Sequence, residues 1–293
     1  MEMDQFDNIS ENEIRIIGAS PEPQQEHPKR KTLYWVIAVL AVLIIGLTAF
    51  VRGCKSENQE IVEPIEVFQN SHIINNEPGF VEISDTIINN VSLHRYIPVN
   101  AKPKLVVGLI KDIPTNYVLG AMAADFGDYN GEYKVAGAFV HNGEMMSHSK
   151  SKYGFCAILK DTLVIGNDLS TSYFEKAIEE KGDFFRQHAL IHDREVVNKV
   201  ISQIGALRRS LCRLNDGRLC VIDTDMSVSL DDFANALLKY DVKEAIALMG
   251  TGASVRWAVD KEGRRYIAGA DEYDFPDVVN YIVWESNVSK KTE

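Results

Sequence analysis

Residues Glu244 to Trp257 read EAIALMGTGASVRW, an apolar run followed by Gly250, Gly252 and Ser254 and then by the pair Arg256–Trp257. Glycine-rich turns after a strand hold phosphates when successive backbone amides point at one spot. A Walker loop needs Lys and then Ser or Thr after its second glycine. This chain has Ala253 and Ser254 there, which excludes that device. A dinucleotide fingerprint needs a helix after the glycines, so that its positive end faces a pyrophosphate. The residues after Ser254 alternate as a strand instead. A strand–loop–strand remains, with two readings open. Its amides form an anion site to which Ser254 and Arg256 add donors, or its glycines serve only a tight crossover. Trp257 is equally a face for stacking a sugar ring or a core side chain.

Other reactive residue types form no familiar constellation. No Cys/His zinc spacing and no CxxC occurs, and Ser254 has no readable His–Asp partners. No metal and no cofactor is therefore expected. The chain has 4 cysteines. CRLNDGRLC reads as a hairpin that sets Cys212 opposite Cys220 if Gly217 is left-handed. A disulfide and two buried thiols are both compatible with that geometry.

The elements that must position these residues come after an unusual leader. Residues 1–28 are polar and acidic, too poor in apolar surface to offset the entropy of ordering. Residues 33–51 carry no charge and have the length of a bilayer span. Lys29, Arg30 and Lys31 precede the span, which predicts a retained single-pass anchor with the N-terminus cytoplasmic and the bulk periplasmic or otherwise extracytoplasmic. A stalk at 52–78, a globular domain at 79–286 and a polar tail at 287–293 follow. The net charge of -11 has no basic stripe in it, so nucleic acid is excluded as a partner.

Within the domain, turn chemistry predicts hairpins at Asn89-Asn90, at Asn142-Gly143 and between YGFCAIL and LVIGN. The stretch after Ala121 breaks at Gly127-Asp128 and resumes as a strand near Val135. Helices are predicted over Thr171–Gly182 and, capped by Ser229, over SVSLDDFANALLKYDV. The fold class is α+β: a single mixed-sheet, strand-rich domain with two main helices, behind the N-terminal transmembrane helix.

The order of these elements adds a resemblance. RSLCRLNDGRLCVID puts an Arg before an Asp-Gly hairpin, VSLDDFANAL follows as a helix, and IALMGTGAS ends a strand in a glycine loop. This order is similar to that of the phosphodiester glycosidase family. The family includes the enzyme that removes N-acetylglucosamine to uncover mannose 6-phosphate, and many bacterial exopolysaccharide-associated proteins. AMAADFGDY and FFRQHALIHD match two further family segments more weakly, and the resemblance spans about Phe80 to Glu285. There are departures. Met249 stands where the family has an acid before its glycines, Asp125 replaces an Asn, Phe126 replaces a Gly, and the Pro of the Gln187 segment is missing.

The resemblance implies a hydrolase that breaks the bond between an anomeric carbon and a phosphate oxygen. Its substrate is a sugar-1-phosphodiester or a related glycan. Arg209 is then the phosphate clamp, because a guanidinium matches phosphate bidentately. Arg208 alternates to the other face, and Arg186 and Arg256 are second choices. Asp125, Asp223 and His188 are the catalytic candidates. Asp128 is a carboxylate that equally caps a turn, and Asp223 one that equally ends a strand. Gln187, Gly250, Gly252, Ser254, Arg256 and Trp257 complete the substrate site. The alternative set by Met249 is a non-catalytic glycan-binding or envelope-scaffold module on the same fold.

Overall fold

The computed structural model describes residues 77–160, 162–197, 204–250, 252–269 and 275–286. The acidic tail, the apolar stretch at 33–51, the stalk to residue 76 and the C-terminal tail lie outside the described residues. Among the described residues no helix is long and apolar enough to cross a membrane.

Local turn chemistry sets most of the strand ends. β1 (Phe80–Ile88) turns into β2 (Val91–Val99) through Asn89 and Asn90, at φ 53° and 63°. Two left-handed residues match the twist of the flanking strands. β14 (Arg209–Leu214) and β15 (Leu219–Asp223) pair with Cys212 opposite Cys220. Both cysteines are buried free thiols. β5 (Phe126–Tyr129) runs through Gly127-Asp128, so the expected break is displaced. The chain reverses instead at Asn130-Gly131, where φ is 60° and 85°, and continues as β6 (Glu132–Val135). Asp128 caps that turn by accepting the Gly131 amide at 2.6 Å.

Strands assemble into three antiparallel sheets and the small β5–β6 hairpin, which corrects the expected single mixed sheet. The first sheet has seven strands in the order β1-β2-β15-β14-β16-β12-β13, with β16 at Val242–Leu248, β12 at Ala189–His192 and β13 at Glu195–Val196. The second is β10-β9-β11-β7-β8, from Thr162–Asn167, Gly154–Leu159, Asp183–Gln187, Phe139–His141 and Glu144–Ser147. The third is β18-β17-β4-β19-β3, from Arg265–Ala268, Arg256–Val259, Tyr117–Met122, Asn280–Ser286 and Ala101–Val107. The reason for several sheets is burial. Strands β9, β14 and β15 are buried on both faces, and two helices of 8 and 10 residues cannot cover so much sheet. Sheets must therefore cover one another.

The three sheets share one core, in which Tyr96, Leu211, Val221 and Ile246 of the first meet Phe139 and Phe185 of the second and Ala258 and Trp284 of the third. α2 (Leu230–Lys239) covers the other face of the first sheet with Phe233, Ala236 and Leu237. Ser229 caps it as expected, its side chain accepting the Asp232 amide at 3.0 Å. α1 (Ser172–Glu179) covers the second sheet with Phe174 and Ala177 against Phe155 and Phe184.

Trp257 is core. It is fully buried, packs beside Tyr281, and donates its indole N–H to the Tyr117 carbonyl at 3.1 Å. Its ring lies over Gly120, where a Cβ would stand 2.1 Å from Cζ2. No face is left for a sugar. Two stability predictions follow from these contacts. Gly120→Ala forces the indole aside and should cost about 2 kcal/mol in urea unfolding. An unchanged midpoint would show that the ring has room. The second concerns His192, whose Nδ1 lies 2.8 Å from Glu244 Oε2 while Glu244 Oε1 accepts the Asp193 amide at 3.1 Å. The bond to Glu244 raises the His192 pKa against an opposing desolvation. A raised folded pKa means the stabilisation is present below the unfolded value and is lost as pH rises through the folded one. His192→Gln should therefore be less stable than the parent at pH 5.5 and equal to it at pH 8.5; equal stability at both would count against the ion pair.

Candidate functional site

One row of side chains crosses the seven-stranded sheet near its end. Asp85 pairs with His94, His94 with Asp223, Asp223 with Arg209, and Arg209 with Leu248. Directly paired residues of antiparallel strands share a face, so these side chains stand side by side. The next row inward on that face is apolar: Ile83, Tyr96, Val221, Leu211 and Ile246. The charges thus sit at the rim of the shared core, where β17 of the third sheet arrives with Arg256 as its first residue.

Asp223 is the meeting point. Its Oδ2 accepts Nε of Arg256 at 3.0 Å and Nε of Arg209 at 3.4 Å, and all three side chains are buried. Nη1 of Arg209 is shared among the carbonyls of Met249, Ser254 and Val255 at 3.2, 3.3 and 3.3 Å. The Arg256 guanidinium lies 4.2 Å from the centre of the Tyr96 ring. Among the described residues, no acceptor takes Nη2 of Arg209 or either Nη of Arg256. Among the same residues, Oδ1 of Asp223 is buried with no hydrogen-bond partner. An orphaned carboxylate oxygen in a buried position is costly, and a bound hydroxyl or water relieves the cost. Burial lowers the Arg209 guanidinium pKa, with Asp223 opposing that and Arg256 adding to it. Burial, and then the Asp223 charge, push the Tyr96 phenol up.

These groups open into one cavity of about 360 Å³ lined also by His94, Gly250, Gly252 and Ser254. Gly250 is required by close approach, because a Cβ there would stand 2.7 Å from the Arg209 amide nitrogen. The tight-crossover reading therefore holds at Gly250. Gly252 has open space, its nearest neighbour being Leu207 Cδ1 at 4.0 Å. Met249 turns its side chain into the cluster around Trp257 and Tyr281. Only its carbonyl reaches Arg209, and the carboxylates that line this cavity are Asp223 and Asp225.

Asp125, Gln187 and His188 gather elsewhere, around Lys152. Lys152 Nζ donates to Asp125 Oδ2 at 2.5 Å and to Gln187 Oε1 at 3.0 Å. Gln187 Oε1 also accepts the His188 amide at 3.3 Å, and its Nε2 donates to the Ala123 carbonyl at 3.2 Å. Desolvation, and then Lys152, lower the His188 pKa, with Asp125 pulling the other way. Asp125 does not line the arginine cavity. The two groups connect through backbone: the Ala123 carbonyl accepts the Met249 amide at 3.1 Å, and the Met249 carbonyl accepts from Arg209. Arg186 is not a ligand clamp, because its guanidinium donates to the carbonyls of Asp168 at 2.7 Å and Ser170 at 3.1 Å. Arg208 faces away from Arg209 as expected, donating to the Val228 and Ile204 carbonyls at 3.1 and 2.7 Å.

His94, Tyr96, Asp225 and Lys152 escape a reading of the sequence. His94 and Tyr96 enter the cavity through the register of β2 against β15, and Asp225 through the turn just after β15. Lys152 has one local signal, a left-handed φ of 68° on a non-glycine residue, which only coordinates reveal.

The fold has known counterparts. The catalytic domain of zebrafish N-acetylglucosamine-1-phosphodiester alpha-N-acetylglucosaminidase, auto-inhibited by its pro-peptide, superposes with a TM-score of 0.52 at 14% identity, over 76% of this chain and 88% of that one. A hypothetical protein from Synechocystis superposes with a TM-score of 0.48 at 10% identity, over 71% and 62%. No protein-family model matches the sequence, and no curated protein matches it. The first of these likenesses shows a shared fold, that of a hydrolase catalytic domain.

Removing Asp223 strands two buried guanidinium groups. Asp223→Ala is predicted to lose about 3–5 kcal/mol of stability, and Asp223→Asn clearly less. Denaturant titration decides; a loss under about 1 kcal/mol for the alanine variant would mean water replaces the carboxylate at no cost.

Proposed function

We propose that this domain is a phosphodiester glycosidase-like hydrolase acting on a sugar-1-phosphodiester or related envelope glycan, held at a membrane by residues 33–51 with the domain extracytoplasmic. The observation that carries the reading is the pair of arginines fixed on one oxygen of Asp223, all three residues lining the cavity. A phosphodiester is a monoanion, and the two guanidinium groups are the cations that meet it. The shared fold with a phosphodiester-cleaving catalytic domain supports the same reading.

The chemistry follows from where charge develops. When the anomeric C–O bond breaks, its electron pair goes to the phosphate oxygen. The leaving group becomes a dianion, and Arg209 and Arg256 stabilise the added charge. Water adds to the anomeric carbon and gives its proton to a carboxylate. Among the described residues, Oδ1 of Asp223 is a carboxylate oxygen without a partner, on a residue that lines this cavity. Met249 favours a second reading, in which the cavity holds a glycan phosphate without turnover.

The full chain in non-ionic detergent, incubated with methyl esters of hexose 1-phosphates, should release free sugar. Arg209→Ala should lower that rate roughly 10²–10³-fold. Release that is unaffected by Arg209→Ala sinks the site. Binding without release by the parent selects the second reading.

A further inference from the structure

Neither reading of the cavity uses His94, yet His94 is built into it. It occupies the row between Asp85 and Asp223, one strand from the carboxylate that orients both arginines. Its Nδ1 lies 2.7 Å from Asp85 Oδ1 and its Nε2 lies 3.3 Å from Asp225 Oδ2. A neutral imidazole has one N–H and one lone pair, so it can donate to only one carboxylate. Two carboxylates, one on each nitrogen, fit the imidazolium.

Among the described residues, three carboxylates face His94. Asp85 comes from β1, Asp223 from β15 and Asp225 from the turn after it. Tyr96 lies two residues along the same face of β2, and the Arg256 guanidinium lies over its ring. Arg208, Arg209 and Arg256 line the cavity beyond Asp223. The Arg208 guanidinium is committed to the Val228 and Ile204 carbonyls, and Arg209 and Arg256 balance Asp223 and Asp225, the two carboxylates of the lining, so the charge on His94 tips the site to net positive. Desolvation pulls the His94 pKa down, but the bond to Asp85, the charge of Asp223 and the contact with Asp225 raise it above the ordinary imidazole value.

We propose that His94 is a positioning residue that sets the anion affinity of the Arg209–Arg256 cavity with pH, so that a monoanionic phosphodiester binds tightly only while His94 carries its proton. The proposal rests on the reading of that cavity as an anion site. With the proton present, the imidazolium offsets the carboxylates that surround the cavity. With the proton gone, Asp223 and Asp225 repel an incoming anion and also lose a cationic neighbour. Because the two equilibria are linked, a bound anion must raise the His94 pKa by the same free energy that the proton adds to binding.

Dimethyl phosphate tests this, because its charge stays at one from pH 5.5 to pH 8.5. Calorimetric titration into the full chain in non-ionic detergent should show affinity falling roughly three- to tenfold between those two pH values, the size expected for loss of one nearby charge in partly screened surroundings. His94→Gln should bind weakly and equally at both. His94→Lys, which keeps a charge, should bind tightly at both, a rescue that a purely structural role for the ring does not supply. On the unmodified protein, the imidazole titration of His94 followed by NMR should move upward when dimethyl phosphate saturates the site; this measurement stands even if a variant fails to fold. The proposal is overturned if the parent binds equally at both pH values, if His94→Gln keeps the fall in affinity, or if the His94 titration ignores the ligand. Arg256→Gln separates the two levels. If it binds as well as the parent, or if the parent binds nothing at either pH, the anion-site reading fails and takes this proposal with it. If Arg256→Gln abolishes binding while the His94 variants keep the parental pH profile, only the role of His94 falls.

Discussion

A single carboxylate oxygen holds the functional end of this domain together. Oδ2 of Asp223 receives one arginine from its own sheet and one from a neighbouring sheet. Charges of this kind cannot be buried singly, since the desolvation of an unpaired guanidinium far exceeds what packing returns. The first and third sheets therefore meet at this edge with their polar groups in register. The close approach at Gly250 and the carbonyls presented by Met249, Ser254 and Val255 are the backbone's accommodation to the same requirement.

The rest of the site is ordered by alternation. Side chains two residues apart on one strand share a face, so a row of charges can lie directly beside a row of core residues. Asp85, His94, Asp223 and Arg209 form such a row beside Ile83, Tyr96, Val221 and Leu211. The signs alternate along it whenever His94 is protonated. The apolar row fixes the position of the charged one, because a slip of one residue would exchange them between faces.

What could be read from the sequence was what is local. The Asn89-Asn90 turn, the Ser229 cap and the left-handed Gly217 are decided by residues within a few positions of one another. The break expected at Gly127-Asp128 was displaced because Asn130-Gly131 offers a better left-handed pair three residues later in the same hairpin. The division into three sheets was hidden, since β2 against β15 and β4 against β17 are pairings between distant segments. Arg209, Arg256 and Asp223 were each identifiable as candidates, but their convergence depends on those pairings. Trp257 had a core alternative from the start, and only the glycine beneath its ring decides for it. Asp125 and Gln187 were found as a pair of motif positions, whereas the lysine that binds both carries no mark in its neighbourhood.

Because the two arginines come from different sheets, the cavity exists only where those sheets are docked. Neither layer alone carries the paired cations, so a ligand that engages both acts as mortar between them. It favours every state in which the joint is closed and none in which it is open. The joint is then the part of the fold whose opening a bound anion suppresses most, while the α1-covered sheet, which contributes nothing to the cavity wall, keeps its own rate of local opening.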